Sequence, residues 1–340
     1  MSTAGDRDDA AAGSAAGAGG TRYAAGPPPA VLTLTMNPAV DLCWEVGHLS
    51  DVGKSRARVR SVTAGGGGIN VARGVARLGG RATAVHTAGG EVGRRLNRLL
   101  DHEGIDHVAV GIGGETREAL VVFETGARRS HHLVPPGPRL DGAEGRRCLE
   151  ALERAAGDCR YVVLSGSLPG GLPAGFYASA ARRVKATGAR VLLDTSGPAL
   201  CEALAEGVFL LRCNRSEAAE LTGRTVRGFD DARAVNNHLL ARGAAEIVVT
   251  TLGGRGALCT TGRGHTELHA PPLPGEPLSD AGAGDGMVAA LTARLAAGED
   301  PADACALGVA VAAASVLTPC AEPFDRRVAE SLRPAVEVKR

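Results

Sequence analysis

Aromatic side chains are scarce, 3% of 340 residues with a single Trp, and this excludes the stacking platforms on which single-stranded nucleic acid is bound. Charge of one sign is missing too. With 38 Lys and Arg against 37 Asp and Glu, the formal charge of +1 offers no global field for nucleic acid or an anionic membrane. No stretch supplies about 18 uninterrupted strongly apolar residues, so no membrane-spanning helix is expected. The cysteines, Cys43, Cys148, Cys159, Cys201, Cys213, Cys259, Cys305 and Cys320, contain no CxxC pair and lie mostly in apolar surroundings. That is the pattern of buried free thiols rather than a zinc site or a disulfide framework. A small polar ligand remains, and its site must be argued locally.

Residues 1–30 are Ala/Gly-rich, carry Asp6, Asp8 and Asp9, and end in Pro27-Pro28-Pro29. They lack the basic start and Leu-rich centre of a signal peptide, and read as a disordered tail on a cytoplasmic protein. From Val31 the text changes. The run VLTLTM suits a buried first strand, and Asn37-Pro38 a turn after it. Similar apolar runs recur at 82–89, 161–166, 190–195, 208–214 and 246–253, separated by Ala/Arg/Glu-rich stretches of helical period. The alternation predicts an α/β fold, a mostly parallel sheet with helices on both faces. Residues 42–62 and 117–134 break the pattern; LVVFET and SHHLV flank Gly126 like a hairpin and predict a small β-lid. No repeat of 20 to 50 residues is present, which excludes a solenoid.

Ligands of open α/β sheets bind beyond the carboxyl ends of the strands. Asp41, Ser165-Gly166-Ser167, Asp194, Asn214 and Gly253 all fall there. Gly282-Ala283-Gly284-Asp285 precedes an apolar run of helical character, so glycine-exposed N–H groups can hold an anion while Asp285 accepts a hydroxyl proton. As a plain turn, the same stretch would use Asp285 only as a helix cap. Gly65-Gly66-Gly67-Gly68-Ile69-Asn70 forms a bare loop entering a helix, and Asn70 can both donate to and accept from sugar hydroxyls. It fits neither GxGxxG after a first strand nor GxxxxGK[ST], which argues against a dinucleotide-binding oxidoreductase and a Walker-type NTPase. Asn214-Arg215-Ser216-Glu217 either orders Mg²⁺ through water at Glu217 or is a capping box and nothing more. Thr250 to Gly256 is a strand running into a glycine turn suited to phosphates.

Taken in order, GGGGINVARGVARLGG (65–80), SGSLPGG (165–171), LDTSGPAL (193–200), NRSE (214–217), TLGGRGAL (251–258) and GAGD (282–285) resemble the PfkB family of ribokinase-like sugar kinases. The resemblance runs over residues 31–331 and leaves 332–340 as a C-terminal tail. It implies a three-layer α/β/α domain with a β-lid, ATP with Mg²⁺ as cofactor, and a homodimer joined through the lids. The family's base falls on Asp285, and its transition-state anion hole on Gly282, Ala283 and Gly284. Sugar-binding positions fall on Asp41, Gly66, Gly67 and Asn70, and nucleotide positions on Asn214, Thr251, Gly253 and Gly256. Glu217 matches the magnesium-organising glutamate. Relatives include enzymes that depend on a monovalent cation, a candidate further cofactor.

Within the family, GGGGIN is similar to the minor-type 6-phosphofructokinases; 1-phosphofructokinases usually carry a lysine where this chain has Gly67. Lys54, Arg56 and Arg117 match positions that hold the substrate phosphate. The implied reaction converts fructose 6-phosphate to fructose 1,6-bisphosphate. MNPAVD at 36–41 suits 1-phosphofructokinase or tagatose-6-phosphate kinase equally. Departures from the pattern are Gly286 after the base, Asp280 in place of Thr, Arg212-Cys213 in place of Lys-Pro, and His131-His132 in the lid in place of Tyr-Arg. They keep open a catalytically weak sugar-phosphate or nucleotide sensor. Adjacent His131 and His132 on a strand would point to opposite faces, which rules them out as a metal pair.

Overall fold

The structure, a computed structural model, describes residues 31–320 and 323–340; the tail expected over residues 1–30 lies outside them. Strand β1 (Val31–Thr35) is buried at every position, so both its faces are covered. The chain then leaves the main sheet for β2 (Ala39–Val46) and β3 (Ala57–Gly65), and returns through α1 (Gly67–Arg77), β4 (Ala82–Ala88), α2 (Gly90–Glu103) and β5 (Asp106–Gly111). A second excursion makes β6 (Arg117–Glu124) and β7 (Arg129–Leu133). Next come α3 (Gly142–Ala156), β8 (Tyr161–Ser165), α4 (Phe176–Ala186), β9 (Arg190–Asp194), α5 (Gly197–Leu204), β10 (Val208–Asn214), α6 (Arg215–Thr222), α7 (Phe229–Ala241) and β11 (Ala245–Thr251). The chain closes with β12 (Gly256–Thr261), β13 (Gly264–His269), α8 (Ala283–Ala296), α9 (Pro301–Ser315), α10 (Arg326–Leu332) and β14 (Glu337–Lys339).

The main sheet has ten strands in the order β14-β13-β12-β11-β10-β9-β8-β1-β4-β5. From β11 to β5 neighbours run parallel, and β12, β13 and β14 add antiparallel pairings at one edge. Two cores lie on its faces. One packs Ile69, Val71 and Val75 of α1 against Met287, Leu291, Val309 and Val311 of α8 and α9. The other packs Leu152, Tyr177, Val184, Leu200 and Val235 from α3, α4, α5 and α7. Residues 332–340, expected as a tail, instead supply Val336 to the first core and β14 to the sheet edge. A three-residue exposed strand carries too short a pattern to be legible in sequence.

The four strands of the excursions form a separate sheet, β3-β2-β6-β7. It spans the two regions expected as a lid, with the β6–β7 hairpin turning around Gly126. The reading of all cysteines as free thiols is corrected here: Cys43 on β2 is joined to Cys320 beyond α9 by a disulfide with Cα atoms 6.0 Å apart. Their sequence separation of 277 is invisible to spacing rules. Six cysteines stay free, and one of them, Cys201, is exposed. Thiol titration in denaturant should therefore give six groups before reduction and eight after. Eight without reductant would refute the pairing.

Candidate active site

The strand order reverses about β1, whose parallel neighbours are β4 on one side and β8 on the other, and ligand crevices open at such switch points. The glycine loop sits there. Gly66 has φ 112°, a backbone state closed to most side chains, and a Cβ on Gly67 would come 2.8 Å from Gly166 N at the end of β8. The loop thus brings bare backbone to the crevice and starts α1, placing Asn70 in its first turn.

Asp285 is the third residue of α8, after Gly282 in the left-handed conformation. The first N–H groups of a helix have no carbonyl within the helix to bond. Gly282, Ala283 and Gly284 therefore form an anion-seeking turn with Asp285 at its edge, and Ala283 N also donates to Asp280 O at 3.4 Å. Asn70 Nδ2 donates to Asp285 Oδ2 at 2.8 Å, tying two motifs 215 residues apart in sequence. Burial pushes the Asp285 carboxyl up to about 7; the Asp194 and Asp41 carboxylates add to the rise, while Asn70 and Arg212 oppose it. Asp41 is raised to about 6 by burial, against the pull of Arg73 and Arg117.

Arg212 links neighbouring strand ends at the site. Its Nη1 donates to Asp194 Oδ1 at 3.0 Å and its Nη2 to Thr251 Oγ1 at 3.1 Å. Ser165 Oγ donates to the other Asp194 oxygen at 3.3 Å, so the ends of β8, β9, β10 and β11 are stitched together. A Cβ on Gly284 would lie 2.9–3.0 Å from the guanidinium, so Arg212 lies directly against the anion-seeking turn. Its Nε, buried, bonds to nothing among the described residues. The motifs mark Arg212 only as a departure. The available signal was the two-residue alternation that puts it on the same face of β10 as Asn214.

Asn214, Thr251, Gly253 and Gly256 line one cavity of about 520 Å³ together with Arg212, Ala283 and Gly284. Ala270, Pro271, Leu273, Val309, Ala312 and Val316 line the same cavity, an apolar complement to that polar group. Asn214 and Glu217 do form the capping box: Asn214 N donates to Glu217 Oε2 at 2.8 Å, and Glu217 N to Asn214 Oδ1 at 3.0 Å. Asn214 Nδ2 and Glu217 Oε1 have no partner among the described residues, so the cap leaves each side chain one polar atom. The Glu217 carboxyl is raised by burial. A groove of about 930 Å³ lies at the opposite, amino ends of β9 to β11, away from every motif.

The three basic candidates separate. Arg117 is beside Asp41, with Nη2 donating to Asn37 O at 2.9 Å and Nη1 to Pro135 O at 3.1 Å; its buried Nε bonds to nothing among the described residues. Lys54 and Arg56 are exposed in the β2–β3 connection and make no hydrogen bond or ion pair among the described residues. The departures acquire physical reasons. A Cβ on Gly286 would meet Ser315 Oγ at 2.9 Å and Val311 Cγ1 at 3.1 Å, so α9 excludes a larger residue there. Asp280 is exposed at the rim of the nucleotide-sized cavity, where Arg215 also stands. His131 lies 3.5 Å from Glu124 and His132 3.3 Å from Ser279, so the pair diverges as expected of a strand.

The pfkB family carbohydrate kinase profile matches residues 34–323. The chain is 39% identical over 291 residues to the ATP-dependent 6-phosphofructokinase isozyme 2 of Mycobacterium tuberculosis, covering 86% of this chain and 85% of the relative. It is 35% identical over 289 residues to the isozyme 2 of Escherichia coli, covering 84% and 92%. Crystal structures of phosphofructokinase-2 from Escherichia coli in complex with potassium and with fructose-6-phosphate match with TM-scores of 0.84 and 0.83. Both are 32% identical, covering 90% of this chain and 98% of that one.

Proposed function

Because the chain belongs to the pfkB family of carbohydrate kinases, we propose that it transfers the γ-phosphoryl group of ATP to fructose 6-phosphate, giving fructose 1,6-bisphosphate and ADP. The observation that carries this is the bond from Asn70 to Asp285, which joins the glycine loop to the residue that follows Ala283 and Gly284 of the 520 Å³ cavity. The sugar lies along Asp41, Gly66, Gly67 and Asn70, with Arg117, Lys54 and Arg56 for its phosphate. ATP lies along Asn214, Thr251, Gly253 and Gly256. Asp285 takes the proton of the attacking hydroxyl as the new O–P bond forms and the bond to the β-phosphate oxygen breaks. A base titrating near 7 is matched to work at neutral pH. Charge on the transferring group falls on the N–H groups of Gly282, Ala283 and Gly284.

Mg²⁺ fits the residues present: Glu217 Oε1 and Asp194 are hard oxygen donors beside the cavity, and no described group of three or more metal-ligating side chains could hold an ion alone. The ion would be shared with the ATP phosphates, with Glu217 acting through water, and would neutralise phosphate charge. A monovalent cation is a further candidate, since the Escherichia coli relative has been solved with potassium. A dimer through the lids is supported by the exposed large hydrophobic residues. Trp44, Leu49, Val52, Val59, Leu133 and Val134 all lie on or beside the lid, and among the described residues only Val338 lies elsewhere. No helix among the described residues is long and apolar enough to cross a membrane.

An ADP-release assay with Mg-ATP tests the proposal against fructose 6-phosphate, fructose 1-phosphate, tagatose 6-phosphate, ribose and a no-sugar blank. Fructose 6-phosphate is expected to give the highest kcat/KM. Preference for another sugar phosphate would reassign the substrate, and folded, ATP-binding protein that phosphorylates none of them would end the kinase reading.

A further inference from the structure

The lid touches the main domain through β7 at the segment that leads into the anion-seeking turn. Cross-strand partners share a sheet face, and the pairs Asp41 with Ala119, Cys43 with Val121 and Val121 with His132 put His132 on the face of the lid that carries Asp41. Ser130, two residues earlier, shares that face, and its Oγ donates to Leu278 O at 3.1 Å. His132 Nε2 lies 3.3 Å from Ser279 Oγ, and the same Oγ accepts from Ala281 N at 3.2 Å. Ser279 is buried, and Leu278 N and Ser279 N both donate to Val316 O, so the segment is held from behind by the end of α9. Leu278 packs into the small cluster of Cys43, Val121, Phe123 and Cys320. Gly282, the first residue of the turn, follows Ser279 by three positions.

We propose that His132 is a positioning residue that couples closure of the lid over the sugar to the geometry of the Gly282–Gly284 turn, acting through Ser279 and Ala281. The inference rests on the kinase reading above. A lid that carries Asp41 moves with the sugar, and β7 grips the approach to the turn at two points, one backbone carbonyl and one side-chain hydroxyl. Sugar binding thereby reaches the N–H groups that receive the transferring phosphoryl, and the His132 to Ser279 contact is the movable link. An arginine here, as the family pattern has, would bring a longer and permanently charged group; the imidazole makes a short neutral-capable contact instead.

His132→Ala and Ser279→Ala are each expected to lower kcat with fructose 6-phosphate by about five- to tenfold, the scale of one positioning hydrogen bond. KM for ATP and the slow hydrolysis of ATP without sugar are expected to stay at parent values. The double variant should be no slower than the slower single one, because both break one link. His132→Gln, whose amide can still reach Ser279, should recover most of the rate. Since His132 is exposed, its replacement leaves the fold intact, which circular dichroism checks. An unchanged kcat in His132→Ala, a change confined to KM for the sugar phosphate, or multiplying effects in the double variant would overturn the coupling. A parent protein that phosphorylates no sugar would overturn the kinase reading itself, a separate result.

Discussion

Asp285→Asn is expected to lower kcat by about 10³-fold or more while leaving ATP binding intact, because it removes the carboxylate proposed as proton acceptor yet keeps the shape and the bond to Asn70. The parent's kcat/KM should fall about tenfold per pH unit below pH 7, since Asp285, raised to about 7 chiefly by burial, must be ionised to act. Stability has the opposite sign. A carboxyl raised from 3.8 in the unfolded chain to about 7 in the folded one binds its proton more tightly when folded. Its contribution is fully present below about pH 4 and is lost as pH rises through 7. Asp285→Asn should therefore raise Tm at pH 8 and leave it nearly unchanged at pH 4. Thermal melts at both pH values, beside turnover measurements, check the two signs together. Retained turnover, or a Tm that falls at pH 8, would remove Asp285 from the role assigned to it.

Arg212→Ala is expected to have the next largest effect, a loss of about 10²–10³-fold in kcat/KM, comparable to deleting a donor to a developing anion. Two causes combine. The guanidinium lies against Gly284 at the turn, and it also lowers the proton affinity of Asp285. Its removal leaves the Asp194 carboxylate unpaired near Asp285, so the acidic limb of the kcat/KM profile should move to higher pH. Part of the lost rate should then return at pH 8.5. Breaking a buried ion pair also costs stability, about 3–5 kcal/mol. Arg212→Lys keeps the charge and serves as the folded control, with a smaller rate loss and an unmoved limb. A pH profile in Arg212→Ala that coincides with the parent's would mean that Arg212 does not tune the base.

Much of the architecture was legible because it rests on local signals. The buried strands read as short β-branched runs, and the glycine motifs mark places where backbone must approach backbone or ligand. The antiparallel edge was less so. Strands β12 and β13 alternate weakly, and β14 is three exposed residues long. At the site, Asp285, Asn70 and Asp41 could be named from motif and position, but the bond from Asn70 to Asp285 could not, because it spans 215 residues. Arg212 was legible only as an unusual residue. Its importance comes from Asp194 and Thr251 on neighbouring strands and from the missing Cβ at Gly284, relations that exist only after folding. The capping box at α6 shows the converse. Asn214 satisfies a bland local rule with Glu217 and lines the cavity as well, so for that residue capping and cavity lining are not exclusive.

The Cys43–Cys320 cross-link also changes what the chain is to a machine that degrades it. Oxidised, residues 43 to 320 form a closed ring from which the C-terminal segment hangs as a short leash. An unfoldase pulling at Arg340 meets the branch point at Cys320 and from there must either draw two strands abreast through its pore or stall. Reduced, the same polypeptide threads as a single line. The thiol state of one buried pair thus sets whether such a machine would meet a branch point or a single line.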